Sequence, residues 1–466
     1  MAEVVVYPDT IGEATGNPVA ERSRSHQKIH QTRGFSFPGI LAALLLFSAI
    51  PGHSQSTLSL PEAIEKARAA HEQIRIEQLK AESAALTSDQ AFNNRLPSLK
   101  ASGRFTRQSE VDPFAISLTL PPPVGTINRV VSESIEDAAA FRLTLTQPLF
   151  TGFKLTAAEQ AAEWQAKAAG MDVKTRQQEL SLQVTRAYGQ VLLAEKQVEL
   201  TSQLVNLLTK RLSDAESMAA QGLLTETEVL AIRVKKTETE AEAIYAADRL
   251  QVARLGLGQW LGSSTAFTGT LAPMEIPVLS PQPSERPELS GLTFRKSAIS
   301  EQIKVARSDW FPTIALQANY DLANPNPRYF PVEQAWKSTW DVSLVLSYEI
   351  WTWNTRFLQT QQADLARNQM DLQESLLRKS ITLEQQAADA ALARSEKLVA
   401  VMQLLSEQTR KRAEQVANQF RAGLIPVADL LDADVQATQA ALQAEAARIN
   451  WMTDRLVQAK AWGRLL

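Results

Sequence analysis

The sequence contains no cysteine and only four histidines in 466 residues. The absence of cysteine excludes disulfides, thiolate metal ligands, cysteine nucleophiles and a lipid anchor on a cleavage-site cysteine. Three of the histidines, His26, His30 and His53, lie near the N-terminus, which leaves His71 alone in the rest of the chain. A histidine-based catalytic triad or metal site therefore has almost nothing to be built from. We predict no enzyme activity, no cofactor and no metal.

Net charge and long apolar runs are also scarce. The formal charge is −3 with both signs interspersed, so no nucleic-acid partner is expected. One apolar run, GILAALLLFSAI (39–50), follows a basic stretch and precedes small residues, as in an export signal. We predict a signal peptide with its lead-in over 1–54, with an uncleaved anchor as the alternative. No later stretch is long and apolar enough for a transmembrane helix, so any later membrane contact requires another kind of structure.

The sequence does contain an internal repeat. At an offset of 201 residues, FRLTLTQPLFTGF (141–153) aligns with VSLVLSYEIWTWN (342–354). At the same offset, GLLTETEVL (222–230) aligns with GLIPVADLL (423–431). Glu349 and Trp353 are departures, since the first copy has proline and glycine there. The predicted units are a first repeat over 55–262, a linker over 263–285 and a second repeat over 286–466.

Each repeat predicts a helix, two strands joined by a loop, a very long helix, a tight turn and a last helix. In the first long helix, apolar residues from Leu180 to Leu212 alternate steps of three and four, which is typical of coiled-coil packing. At ~1.5 Å per residue, each long helix approaches ~100 Å. Two shorter helices could stack end to end beside each long one. The predicted helices cover about 62–95, 155–221, 226–262, 356–422 and 427–463.

The four predicted strands alternate apolar and polar residues over about ten positions. They cover about 98–107, 138–147, 313–322 and 338–348. This pattern fits a transmembrane barrel, with a half-buried sheet of a soluble protein as the alternative. Aromatic residues near the strand ends favour the membrane. Because four strands cannot close such a barrel, other copies of the chain must complete it. The predicted aromatic belts comprise Phe150, Trp336, Trp340, Tyr348, Trp351 and Trp353.

From about Leu58 to Leu466 the chain resembles the TolC-like outer-membrane efflux protein family. The resemblance rests on LPSL and FPTI before the first strands, QPLFTGF after a second strand, and the two turn motifs, in this order and spacing. It implies a mixed α and β homotrimer, with four strands per protomer in a twelve-stranded outer-membrane barrel continued by a periplasmic α-helical coiled-coil barrel. The 263–285 linker would belong to an equatorial segment.

The resemblance also implies a function. The chain would be a passive exit duct of a tripartite efflux pump or a type I secretion system in a Gram-negative-type bacterium. Its partners would be a periplasmic adaptor, an inner-membrane RND or ABC transporter, and the lipid bilayer. A periplasmic coiled-coil adaptor or scaffold that never enters the outer membrane is the alternative.

The two turns carry the candidate site. Gly222 and Gly423 are predicted to end the long helices in the left-handed conformation. Thr225 and Glu228 form a capping box, which gives Glu228 a local role. In the second turn, Pro426 suits the first helical position.

Two aspartates follow the second turn. Asp429 lies where the helix dipole favours a carboxylate. Asp432 shares its face at a cost of roughly 0.2–0.5 kcal/mol, which local helix chemistry does not explain. The resemblance implies that both aspartates form acidic rings at the periplasmic entrance, with Thr227 and Glu228 in the contacts that close it. The tips would meet the adaptor, with packing within the tip as the alternative. The predicted tip residues are Gly222, Leu223, Leu224, Gly423, Leu424 and Ile425.

Overall fold

The computed structural model of the protein describes residues 57–123, 125–275 and 285–464. Within these ranges the chain is mixed α and β and mostly helical. The predicted signal peptide and residues 276–284 of the predicted linker lie outside the described residues. None of the described helices is both long enough and apolar enough to cross a lipid bilayer.

The strands form one four-stranded sheet and one separate hairpin. The main sheet has the order β1-β4-β5-β6 and is antiparallel throughout, while β2 pairs only with β3. The sequence predicted a plain loop where this hairpin lies, because its strands are short and the surrounding segment is rich in proline. The strands are β1 (Ser98–Arg107), β2 (Phe114–Thr119), β3 (Thr126–Ser132), β4 (Asp137–Phe150), β5 (Thr313–Asn324) and β6 (Lys337–Ser347).

The register of the main sheet separates a polar face from an apolar one. Arg142 on β4 is opposite Ser102 on β1 and Asp321 on β5, so the polar residues of neighbouring strands share a face. The other face is apolar and open in the single chain, where Leu99 is 70% exposed and Leu344 is 66% exposed. A sheet with an uncovered apolar face requires a partner or a lipid environment.

The helices fall into long and short ones. α3 and α6 both have 67 residues, and α4 and α7 both have 35 residues. The helices are α1 (Leu60–Ala70), α2 (Glu72–Asn93), α3 (Lys154–Ala220), α4 (Glu226–Trp260), α5 (Pro287–Ser308), α6 (Thr355–Arg421) and α7 (Val427–Ala461).

One predicted helix is interrupted. The sequence predicted a single helix over about 62–95, but the chain breaks at His71, which adopts an extended conformation between α1 and α2. The His71 Nδ1 accepts the backbone N–H of Gln73 at 3.2 Å, and its ring stacks on Trp260 at 5.5 Å. The one histidine of the described chain is therefore a helix cap.

The helices are layered in the same order as the strands. Next to the sheet, α2 packs on α3, α3 on α5 and α5 on α6, because each of these helices adjoins one of the four sheet strands in sequence. Farther from the sheet the order is α4, α3, α7 and α6. The shorter helices thus occupy successive lengths of α3 and α6, with the C-terminal end of α7 and the N-terminal end of α5 both reaching Glu384.

The larger buried cluster lies midway along α3. Tyr188 is fully buried there, and its hydroxyl lies 2.8 Å from the Leu58 carbonyl and 2.6 Å from the Ala272 carbonyl. Leu58 pairs in parallel with Leu271, so Tyr188 ties two extended segments to the long helix. These contacts hold the start of the described chain and the segment after α4 together at one level.

Candidate functional site

The turn between α3 and α4 is built by a glycine and a capping box. Gly222 has φ +76°, and the next residue, Leu223, donates its N–H to the Met218 carbonyl at 2.9 Å. These contacts form a Schellman motif, which satisfies the last carbonyls of α3. Thr225 and Glu228 then form the predicted capping box at the start of α4.

Glu228 is occupied by this cap. Its carboxylate accepts the Thr225 backbone N–H at 2.9 Å and the Thr225 hydroxyl at 2.8 Å. These two hydrogen bonds hold the pKa of Glu228 below its ordinary value, and the one from the backbone N–H has the larger effect. The structure therefore gives Glu228 a local structural role, while the neighbouring Thr227 is exposed.

The turn between α6 and α7 has the same geometry with one difference. Gly423 has φ +72°, and Leu424 donates its N–H to the Gln419 carbonyl at 3.0 Å. The sequence predicted Pro426 at the first helical position, which is wrong by one residue. Pro426 is the N-cap, because its backbone is extended, and Val427 begins α7.

The tip residues divide by exposure. Leu223 and Leu424, which directly follow the two glycines, are 64% and 74% exposed. Leu224 and Ile425 instead pack on a buried cluster beneath the tips. The cluster comprises Leu204, Leu208, Ala215, Val229, Ile232, Ala417, Phe420, Val427, Leu430 and Leu431.

The two aspartates lie on an exposed face of α7. Asp429 is in the first turn and makes no side-chain hydrogen bond or ion pair with the described part of the chain. Asp432 accepts a hydrogen bond from Gln436 at 2.7 Å and lies 3.9 Å from the Arg412 guanidinium of α6. Asp432 therefore has two partners within the chain, and the contact with Arg412 could not be predicted from sequence because it comes from a different helix.

A third carboxylate on α7 was missed by the sequence analysis. The Asp434 side chain is only 3% exposed, and it pairs with Arg211 of α3 at 3.4 Å. Burial raises the pKa of Asp434, and Arg211 only partly offsets this effect. The pair links α7 to α3 beside a groove of about 600 Å³ between α3, α6 and α7. Its signal was available in the sequence, since Asp434 falls on the helix face of Val427 and Leu430.

The aromatic residues lie at both ends of β6 and around the start of α6. Trp336 stacks on Phe141 at 5.9 Å, and Trp340 is exposed on the apolar face of the sheet. At the other end, Tyr348, Trp351 and Trp353 are exposed. Phe150 differs, because it packs edge-on against Phe153 and Phe311 and is only partly exposed.

Solved structures share this architecture of a small sheet on long, layered helices. The outer-membrane channel OprN is 17% identical, with a TM-score of 0.70 over 87% of this chain and 90% of its own. CusC is 15% identical, with a TM-score of 0.71 over 88% and 92%. VceC of Vibrio cholerae is 15% identical, with a TM-score of 0.69 over 87% and 96%. The protein thus has the fold of these outer-membrane channels.

The family follows from a sequence match. The family model for outer membrane efflux proteins matches residues 63–263 and 282–464, which is most of the chain. The protein therefore belongs to the outer membrane efflux protein family, and the resemblance to TolC-like proteins is confirmed. Members of this family are outer-membrane channels with a periplasmic portion. No curated protein matches the chain in sequence.

Proposed function

We propose that the protein is the outer-membrane exit duct of a tripartite efflux pump and works as a homotrimer. Its four-stranded sheets would form a twelve-stranded barrel in the outer membrane, above a periplasmic tunnel of helices. The observation that carries this proposal is that the sheet and both helix layers end along the same two sides. One edge consists of β1, α2 and α4, and the other consists of β6 and α6.

The strand edges suit a head-to-tail ring. β1 and β6 each have a strand neighbour on one side only, which leaves a row of backbone N–H and C=O groups unpaired. Since neighbouring strands alternate in direction, β6 of one copy would be antiparallel to β1 of the next. A heterologous contact of this kind forms a ring when its rotation closes.

The helix edges are apolar at matching depths. α2 exposes Ile76, Leu79 and Leu86, and the first half of α6 exposes a longer stripe of leucines. Counted from the helix ends nearest the sheet at ~1.5 Å per residue, Leu79 and Leu372 lie roughly 21 and 26 Å away. Joining the edges would therefore bury leucine against leucine. The α6 stripe comprises Leu358, Leu365, Leu372, Leu376 and Leu383.

The helical tips would be the periplasmic entrance. Asp429 and Asp432 would line its mouth, with Thr227 and Glu228 in the contacts around it. The exposed Leu223 and Leu424 support docking of a periplasmic adaptor at the tips, with the packed Leu224 and Ile425 setting their positions. The duct itself would be passive, and an inner-membrane RND or ABC transporter would supply the energy for transport.

Exposed aromatic residues support the placement of the barrel in the membrane. Trp336 and Trp340 would lie at the outer interface, and Tyr348, Trp351 and Trp353 at the inner one. Phe150 contributes through its packing at the sheet–helix junction. The second repeat of the sequence would thus carry most of the aromatic anchors.

Localisation and covalent trapping together test the proposal. We expect the full-length protein to fractionate with the outer membrane and to form mixed disulfides between copies when Leu79→Cys is combined with Leu372→Cys. The chain has no native cysteine, so every disulfide reports the introduced pair. A covalent trimer on denaturing gels is expected, together with restored dye efflux in a host that lacks its own duct.

The control pairs Leu79→Cys with Leu398→Cys, which is exposed on the same helix but about 39 Å farther along. This pair should give no covalent trimer. Recovery of the protein from the periplasm, without outer-membrane association, would instead support the coiled-coil scaffold. Restored export of a protein substrate without dye efflux would indicate type I secretion.

A further inference from the structure

The polar face of the main sheet carries an excess of positive charge. Its strands contribute four cations and two anions, as read from the strand register. The adjoining β5–β6 loop adds Arg328 and Glu333, which cancel. The charged strand residues on this face are Lys100, Arg104, Arg142, Lys337, Asp321 and Asp341.

Most of these charges are paired within the chain. The Arg142 Nε donates to Asp321 at 2.5 Å, and the Lys337 ammonium lies 2.5 Å from Glu333. Asp341 accepts hydrogen bonds from Asn319 and Arg328. Each acidic group on the face therefore already has a cationic partner.

Lys100 and Arg104 are the two exceptions. Both are exposed, and neither makes an ion pair or a side-chain hydrogen bond with the described residues. On β4 their opposite neighbours are Thr144 and Ala140, which are neutral. Since Ser102 is the one residue between them on this face, the two cations form a short basic stripe along the edge strand.

We propose that Lys100 and Arg104 make the barrel lumen favour anionic solutes. This inference rests on the proposed function, in which the polar face lines the lumen. In a ring, Asp341 on β6 of the neighbouring copy could pair with Lys100 or Arg104 instead of Arg328, but the strands of this face would still carry two excess positive charges per copy. Clustered charges of one sign in a confined pore raise the local concentration of the opposite ion.

The duct would then contain two regions of opposite preference. The mouth at Asp429 and Asp432 attracts cations, whereas the barrel attracts chloride or the anionic group of a larger solute. A zwitterionic or mixed-charge solute is favoured at both, and a polyanion meets its main electrostatic barrier at the mouth. Charge selection would therefore depend on where a solute is along the duct.

Reversal potentials in a potassium chloride gradient test this inference on the purified protein in planar bilayers. We expect Lys100→Gln with Arg104→Gln to lower the chloride-to-potassium permeability ratio by about sevenfold, because a loss of about one kT of local potential lowers the chloride concentration and raises the potassium concentration by about 2.7-fold each. The shift should vanish in 1 M salt, where the screening length is about 3 Å. An unchanged ratio at low salt in conducting channels would overturn the proposal.

Two further variants keep the result interpretable. Arg142→Gln with Asp321→Asn removes one charge of each sign from the same face, so the permeability ratio should not change. Ser102→Cys gives a single thiol between the two cations, and coupling a negative or a positive methanethiosulfonate reagent should shift the ratio in opposite directions. Equal shifts with both reagents would contradict the inference. Failure of the proposed function is distinct, because the unmodified protein would then form no conducting channel.

Discussion

A single buried hydroxyl links the middle of the long helix α3 to two extended segments. Tyr188 lies within hydrogen-bonding distance of the Leu58 and Ala272 carbonyls, both of which belong to non-helical chain. Burial raises the pKa of Tyr188 to about 12, an effect that the hydrogen bond to Ala272 opposes only in part. The folded protein therefore holds the phenolic proton more tightly than the unfolded chain does.

The sign of this shift predicts an alkaline loss of stability. Below pH 10 both states are protonated and the contribution of Tyr188 is complete, and it is lost as the pH rises from about 10 to about 12. Tyr188→Phe should cost about 1 kcal/mol at pH 8 and flatten this part of the pH profile. Urea unfolding of the purified protein at pH 8, 10 and 11.5 measures both effects.

The matched control for this prediction is Tyr245→Phe, since Tyr245 on α4 is 61% exposed. It should leave the stability at pH 8 and the alkaline decline unchanged. The same decline in Tyr188→Phe as in the unmodified protein would show that another group causes it.

At the scale of elements, glycines of similar conformation differ in what surrounds them. Gly222 and Gly152 have φ of +76° and +61°. A Cβ added at Gly222 would meet nothing within 4 Å, whereas one at Gly152 would lie 2.5 Å from the Ser308 carbonyl oxygen and 2.8 Å from the Phe311 Cβ. The turn glycine is needed for its backbone conformation, and the junction glycine is needed for space as well.

This difference predicts unequal costs for the same substitution. Gly222→Ala should cost about 1–2 kcal/mol, the cost of a left-handed residue with a Cβ. Gly152→Ala should cost about 1–3 kcal/mol more, because the Ser308 carbonyl and the Phe311 Cβ must also move. The yield of folded protein in the membrane and its urea midpoint measure the order, and equal midpoints would contradict this reading of the junction.

The aligned position in the second repeat supports the distinction. Trp353 has φ +48° and is 82% exposed, so a large side chain is compatible with this conformation where there is room. The sequence alignment of Gly152 with Trp353 suggested different junctions, yet both residues are left-handed. The difference in residue type hid the shared turn, and the crowding around Gly152, which comes from the end of α5 and from Phe311, could not be read from local sequence.

The difference between local signals and contacts with other elements also explains which helices and strands were predictable from sequence. The start of α4 was predicted because the Thr225–Glu228 capping box is local in sequence and is present in the structure. The hairpin β2–β3 was not predicted, since its short strands pair only with each other. The break at His71 is accompanied by stacking against Trp260, which is distant in sequence. Short strands and contacts between distant segments were thus the features that sequence patterns could not supply.

The candidate site was likewise predictable only where its geometry is local in sequence. The positions of Asp429 and Asp432 on one exposed face follow from their spacing on a helix. The partners of Asp432 include Arg412 of α6, and the buried pair of Asp434 with Arg211 joins α7 to α3. Neither contact is visible without knowing which helices are neighbours, although the apolar periodicity around Asp434 indicated a buried carboxylate.

At the scale of the whole molecule, the effect of the acidic pair depends on the number of copies. One protomer contributes two carboxylates on an exposed helix face, which attract counterions only weakly in water. Three copies around an axis would place six carboxylates at one narrow opening, where their potentials add. A strong effect of this pair on ion permeation is therefore expected only from the assembled ring.

Asp429→Asn with Asp432→Asn should weaken both the cation selectivity and the block by divalent cations in planar bilayers. Because loss of about one kT of potential lowers the local divalent concentration roughly sevenfold, the half-blocking concentration should rise by about that factor. Asparagine keeps the size of the side chain and its capacity to accept from Gln436, so the variant isolates charge. Glu226→Gln is the control, since it removes an exposed carboxylate from the α4 side of the same tips. If Glu226→Gln changes the block as much as the double variant does, or if the double variant changes neither property, the mouth does not lie at the α7 aspartates.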